Sequence, residues 1–380
     1  HGPLLAVHGE WSSRTRHVLG APRLRAGAGA VLVLGRPRQS LRRIADLWRC
    51  ATGDKPPPLV RPISPGAAVR SLGPALRGLK VGMQSLDAPG GTHGFSLMSR
   101  QCYRYWLGAA SAAWWSERAG PGRDVIYGHT GLADTSQLEY AQQDGGGRTV
   151  HVVHGLSSGI NFAGISSLAL FRCGADARFY RRLQVYDRCE WLAARAPESR
   201  HRGRGVALYT NYLHPMRSGD PAAGLRLELA SLGLVREFAQ RDGVSDLYWR
   251  HHPAAGSMPG EATARLKQVA ADMGWEPLLP PPRGRAESDY YFVVTSPSTI
   301  VVDLLALGAL PVMLDLDLPV EQTALLQYPL RAKDAAGLSD WCRRLEDDVE
   351  RERWYRLCWD SIGPAIAADS IRRILPGPGQ

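Results

Sequence analysis

Short apolar runs recur along this chain, each closed by a turn-forming stretch and followed by a segment with helical spacing. In the first half the clearest runs are Ala30 to Gly35 (AVLVLG), Leu79 to Met83, Asp124 to Tyr127 and Thr149 to Val153 (TVHVV). Each runs into a turn rich in Gly, Pro or Ser, where α/β proteins place ligands at the carboxyl ends of their strands. Strand-like and helix-like segments in alternation predict parallel sheets covered by helices, the α/β class.

The second half repeats the pattern. Strands are predicted at Gly205 to Thr210, Leu247 to Arg250, Tyr291 to Thr295 and Leu310 to Leu314. Helices are predicted over Leu225 to Arg241, stopping at Asp242-Gly243, over Glu261 to Met273, closed by Gly274, and over Val301 to Leu307, ended by Gly308. The polar, basic segment Pro197 to Gly205 (PESRHRGRG) reads as a linker. It divides the chain into a first domain over 1–200 and a second over 205–340, with Trp- and Arg-rich helices over 341–380 that can cross back to the first domain.

Composition narrows the classes. A chain of 380 residues suits two cores, and 44% hydrophobic with 22% charged residues describes a folded globular protein. The net charge of +10 suits an anionic partner, although a solvated arginine-rich face gives the same figure. Six dispersed cysteines without a CxxC pair or His/Cys metal spacing predict free structural thiols, a cytoplasmic setting and no metal site. No apolar run approaches the roughly 18 residues of a membrane span, and no secretory signal is read. The chain begins at His1, so a preceding anchor or domain stays open.

Candidate chemistry gathers at strand ends. In YFVVTSPSTIVVDLLALGALPVML, Tyr291 to Leu314, Ser296 is expected as helix N-cap, Pro297 at the first helical position, and Ser298 and Thr299 in the first turn. Backbone N–H groups and hydroxyls converging there suit an anion, though an ordinary capped helix has the same spelling. In LYWRHHPAAG the strand from Leu247 is expected to end in Arg250, His251, His252 and Pro253, so that three potential cations leave it together. In TVHVVHGLSSGINFAG, His154-Gly155 opens a Ser- and Gly-rich loop that suits close approach of a ligand or a plain crossover. Asp315-Leu316-Asp317 has the spelling of a metal-binding pair but reads as a strand-end loop.

His252-Pro253 after a strand, followed by the Ser-Pro-Ser-Thr turn and a helix ending in Leu-Gly, resembles the HP and Ser/Thr motifs of bacterial capsule-type GT-B transferases. That group includes sialyl-, polysialyl- and Kdo transferases and the glycerophosphate polymerases of teichoic acid synthesis; His154-Gly155 is similar to the His-Gly pair of the last. The likeness covers about Gly205 to Leu314 well and the first half poorly. It implies a GT-B architecture, two Rossmann-like domains facing across a cleft.

The resemblance further implies that His252, Ser296, Ser298 and Thr299 grip the phosphate of a nucleotide-sugar donor. Asp303, one turn after Thr299, is then placed to meet the ribose or sugar, and Arg250, Pro253 and His154 complete the donor side. The acidic motif of sialyl- and Kdo transferases has no clean match. The base that an inverting transferase needs is therefore sought among loop carboxylates of the first half. Asp87, in SLDAPGGTHG, and Asp134, in GHTGLADTS, are the best positioned, with Glu10, Glu139 and Asp144 behind them.

The expected function is an inverting, metal-independent glycosyltransferase without a cofactor. It would take Kdo or sialic acid from a CMP donor to a surface glycan or glycolipid, at the inner face of an anionic membrane. A UDP-sugar transferase or 2-epimerase of the same fold is the alternative enzyme. A basic glycan- or nucleic-acid-binding module is the alternative from another class, opposed by the lack of aromatic residues interleaved with the basic clusters.

Overall fold

The computed structural model describes residues 4–8, 30–34, 66, 68–73, 76–77, 106, 110, 125–127, 133–153, 156, 165–184, 186–191, 195–197, 205–211, 221–251, 260–277, 292–316 and 322–364. The chain divides into two compact units, His1–Leu192 with Ile366–Gln380, and Ala193–Ala365.

The first unit holds six strands, β1 (Leu4–His8), β2 (Ala30–Leu34), β3 (Val125–Tyr127), β4 (Thr149–Val152), β5 (Leu168–Leu170) and β6 (Arg188–Glu190), in the order β2-β1-β3-β4-β5-β6. Every pairing is parallel. Helix α1 (Ala133–Asp144) leads into β4, and α2 (Gly174–Leu183) crosses from β5 to β6. Tyr180 of α2 packs with Phe171, Tyr186, Ala169 and Val153 in an aromatic core cluster. On β6 the Cys189 carbonyl, which faces away from β5, accepts from Nε and Nη2 of Arg181 at 3.0 and 2.7 Å.

The second unit holds β7 (Val206–Thr210), α3 (Pro221–Arg241), β8 (Leu247–His251), α4 (Gly260–Asp272), β9 (Glu276–Pro277), β10 (Phe292–Thr295), α5 (Ile300–Ala306), β11 (Pro311–Leu314), a 3₁₀ turn (Thr323–Leu325), β12 (Arg331–Ala332), α6 (Ala335–Glu346) and α7 (Asp348–Ile362). Its sheet is also wholly parallel, in the order β12-β11-β10-β7-β8-β9. Counted from β7, this is the doubly wound order 6-5-4-1-2-3, with the chain reversing direction across the sheet between β7 and β10.

The strands form because β7, β10 and β11 are apolar at nearly every position and buried along their whole length, with helices on both faces. Helix α3 buries Gly224, Glu228, Ser231, Leu232, Val235, Phe238 and Ala239, a stripe at helical spacing. It starts at Pro221, four residues earlier than expected, because proline suits the first helical position. Gly308 closes α5 with a φ of 85°, a left-handed conformation that L side chains rarely adopt.

The helical segment expected near the C-terminus is two helices. Asp347 breaks it by capping α7, its carboxylate accepting from the Glu350 N–H at 2.8 Å, as Asp334 caps α6 through the Gly337 N–H at 2.7 Å. Both helices pack within the second unit, α6 on α3 and α7 on α5. Cys173, Cys189, Cys342 and Cys358 are buried and in no disulfide, and burial pushes the Cys189 thiol up to about 11 and Cys358 to about 12. Cys173, Cys189 and Cys358 are therefore protonated and poorly nucleophilic at neutral pH. Leu79 to Met83, Cys50 and Cys102 lie outside the described residues.

Candidate functional site

A parallel α/β sheet leaves a crevice beyond the carboxyl ends of its strands where the strand order reverses. In the second unit that place is the gap between the ends of β7 and β10, and the residues next in line are Asn211 and Ser296. They meet: the Ser296 hydroxyl donates to Asn211 Oδ1 at 2.8 Å, across 85 residues of sequence. The Ser296 N–H donates to the Tyr209 carbonyl at 2.8 Å, so Ser296 prolongs the β10 ladder by one residue.

Two neighbouring side chains are hydrogen-bonded as well. Thr295 Oγ1 donates to the Ser296 carbonyl at 2.8 Å, and Trp249 Nε1 on β8 donates to Thr210 Oγ1 at 2.9 Å. Thr210, Asn211, Thr295 and Ser296 are all buried. Buried polar groups that are hydrogen-bonded fix a conformation, because each would incur a desolvation penalty if its bond were lost.

This geometry corrects the expectation for Ser296. It is not the N-cap of α5, and Pro297 is not the first helical residue; the helix begins at Ile300 with Thr299 as its cap residue, and no side chain completes the cap. Ser296 stays with the sheet because Tyr209 and Asn211 take its N–H and hydroxyl. The chain then turns through Ser298 and Thr299 in tight bonds, Val301 N–H to Ser298 O at 3.2 Å and Val302 N–H to Thr299 O at 3.0 Å. The Ser298 hydroxyl faces the Ile300 N–H at 3.4 Å, a long contact. Ser298 is buried and Thr299 half-buried, and Asp303 lies half-buried on α5 one turn further on.

Arg250 lies in its strand as expected, and only the end of that strand differs. Strand β8 continues to His251, so Arg250 is a strand residue paired with Tyr209, which is paired in turn with Thr295. Thr295, Tyr209 and Arg250 thus form one row across three strands, just short of their carboxyl ends. Arg250 shares its face with Tyr248, which packs on the core of Ala207, Tyr209, Val293, Leu304 and Ala309 beneath α5. The structure brings Arg250, Ser296, Ser298 and Thr299 to the same edge of one sheet. His252 and Pro253 lie outside the described residues, as do His154, Asp87 and Glu10.

Asp134 is the second residue of α1, so it belongs to a helix following β3 and not to an open loop. Glu139 and Asp144 stand further along α1, towards the amino ends of the strands. Glu139 is fully buried, bonded by the Ser166 hydroxyl just before β5, and its Oε2 has no hydrogen-bond partner among the described residues. Burial pushes its carboxyl up to about 7. Such a group could act as a base, but it lies at the end of the sheet opposite the ligand crevice. Asp144 is an exposed terminal helix residue leading into β4. Asp315, after β11, faces Arg331 Nη1 at 3.8 Å, and Asp317 lies outside the described residues.

Nothing local in the chain points to Asn211, a lone polar residue after a strand whose partner is distant in the chain. The one available signal was topological, since the doubly wound order sets the residues after its first and fourth strands side by side.

No family model matches the chain, and no curated protein matches it. Solved structures do resemble it. The S. aureus MnaA–UDP co-structure superposes with a TM-score of 0.53 at 12% identity, covering 98% of this chain and 95% of that one. UDP-GlcNAc 2-epimerase of Methanocaldococcus jannaschii, in complex with UDP-GlcNAc and UDP, gives 0.49 at 10% identity over 92% and 91%. Acinetobacter baumannii MurG gives 0.46 at 11% over 98% and 97%. The fold of this chain is thus α/β of the GT-B type, built on two parallel sheets.

Proposed function

We propose that the chain is an inverting glycosyltransferase that binds a nucleotide-sugar donor at the carboxyl edge of the second unit, between β7 and β10. The observation that carries this reading is the strand reversal there, with Arg250, Ser298 and Thr299 beside it. Arg250 and His252 offset the charge developing on the leaving phosphate, and the Ser298 and Thr299 hydroxyls bond its oxygens. Asp303 meets the ribose or sugar, and Pro253 and His154 complete the donor side. Asp87 or Asp134 of the first unit deprotonates the acceptor hydroxyl. No cofactor or metal is required in this scheme.

The HP and Ser/Thr spacing favours a CMP donor, carrying Kdo or sialic acid to a bacterial surface glycan or glycolipid at an anionic membrane face. No helix among the described residues is long and apolar enough to cross a membrane. The likeness to a UDP co-structure favours a second reading, a UDP-sugar transferase or 2-epimerase.

Calorimetry with CMP, CDP, UDP, UMP and GDP, on the wild type and on His252→Ala, tests both. Preferential CMP binding lost in the variant supports the first reading. A UDP preference, with turnover of the UDP-sugar in the absence of acceptor, supports an epimerase. No nucleotide binding overturns both.

A further inference from the structure

We infer that Asn211 is a positioning residue for donor binding: it holds the Ser296–Thr299 turn against β7, and through that turn sets the hydroxyls that meet the nucleotide's phosphate. This rests on the reading of the β7/β10 edge as the donor site and names a residue that the reading does not otherwise use.

Three observations carry it. The hydrogen bond from Ser296 to Asn211 is a side-chain link across the strand reversal, between the residue that follows the first strand of the sheet and the residue that follows the fourth. Both residues are buried, so the bond is shielded from competing water. Finally, Ser296 is anchored on three sides: its N–H to Tyr209, its carbonyl to Thr295 Oγ1 and its hydroxyl to Asn211. The first keeps Ser296 in the β10 ladder, and the second orients the peptide that leads to Pro297. The third ties the start of the turn, through the Ser296 side chain, to the residue that follows β7, and Pro297, with its restricted φ, passes that anchoring on to Ser298 and Thr299.

Removing the Asn211 acceptor leaves a buried hydroxyl without its partner. The turn can then relax to satisfy that hydroxyl elsewhere, which moves Ser298 and Thr299. Displacements on the order of 1 Å in positioning groups are enough to weaken binding and catalysis strongly. The effect is directed at the phosphate, because the turn is the part of the site displaced.

The test is calorimetric titration of UDP and CMP, each compared with its nucleoside, uridine or cytidine, into the wild type, Asn211→Ala, Ser296→Ala and the double variant. The expected result is a loss of about tenfold in nucleotide affinity in Asn211→Ala, with a loss of under about twofold for the nucleoside. In the Ser296→Ala background, Asn211→Ala should add less than about twofold, because the two residues act through one bond. Equal losses for nucleotide and nucleoside, or additive losses in the double variant, overturn the inference while leaving the donor site standing. If the wild type binds neither nucleotide, the proposed function fails and the inference with it. Should Asn211→Ala not fold, Ser296→Ala removes the same bond from the other side and must show the same phosphate-selective loss.

Discussion

Tyr355 on α7 donates its phenolic hydrogen to the Leu305 carbonyl, in the last turn of α5, across 2.6 Å. The carbonyls of a last turn lack intrahelical partners, and Leu305 O also accepts from the Gly308 N–H at 3.0 Å. Tyr355 is fully buried, and burial holds its hydroxyl well above the usual phenol range, so it remains a donor at any working pH. Helix α7 thereby closes the end of the helix that follows the candidate site. Tyr355→Phe should cost about 1 kcal/mol, seen as a fall of about 2–4 °C in melting temperature, with nucleotide affinity unchanged. An unshifted melting curve would show that the bond contributes nothing net.

Glu139 gives the protein a pH signature. Burial raises its carboxyl from 4.5 to about 7, more than the Ser166 hydroxyl and Ile165 N–H lower it. The native state then holds a proton that the unfolded chain has released between those values. The resulting stability is complete below about pH 4.5 and is lost as pH rises through 7, an upper bound of about 3 kcal/mol. In Glu139→Gln, urea melts across this range should lack that decline, and the variant should equal or exceed the wild type above about pH 8. A decline of the same size in the variant would assign it to another group.

Arg250 offers a test of the site's charge. If it faces the leaving phosphate, Arg250→Gln should weaken nucleotide binding about 10- to 100-fold, as expected for a hydrogen bond to a charged group. Nucleoside binding should barely change, and added salt should weaken the wild type more than the variant. Equal affinities for both proteins would remove Arg250 from the donor side.

At Gly308 the cost is conformational. With φ at 85°, Gly308→Ala forces a methyl-bearing residue into the left-handed region at a cost of about 1 kcal/mol. Thermal melts should show the loss. Gly233, inside α3 and without a positive φ, should gain stability on the same change if the Met273 methyl, 3.8 Å from the added carbon, accommodates it.

The parts of the fold that were legible in the sequence were those whose signal is local and strong. β7, β10 and β11 are buried on both faces, so their apolar runs stand out. β5 and β6 have three residues each and β12 has two, and the last two carry arginine at sheet margins; so little apolar length leaves no pattern to read. The end of α5 was readable because glycine is needed there. Its beginning was misread because Ser296 and Pro297 spell a helix start, whereas the native environment keeps Ser296 in the sheet. That environment is supplied by Asn211, 85 residues away, which no spacing rule anticipates. The strand ending at Arg250 is read one residue short, since the ladder with β7 runs on to His251.

The guanidinium of Arg181, folded over the outward-facing carbonyl of Cys189, has a bearing on how the protein behaves at high concentration. A sheet margin with open carbonyls is a template on which another chain can lay down a strand. Here the acceptor in the middle of β6 is already taken by a charged side chain that an incoming backbone must displace. Preparations of Arg181→Ala should therefore form concentration-dependent aggregates where the parent protein stays dispersed, a difference that light scattering would read directly.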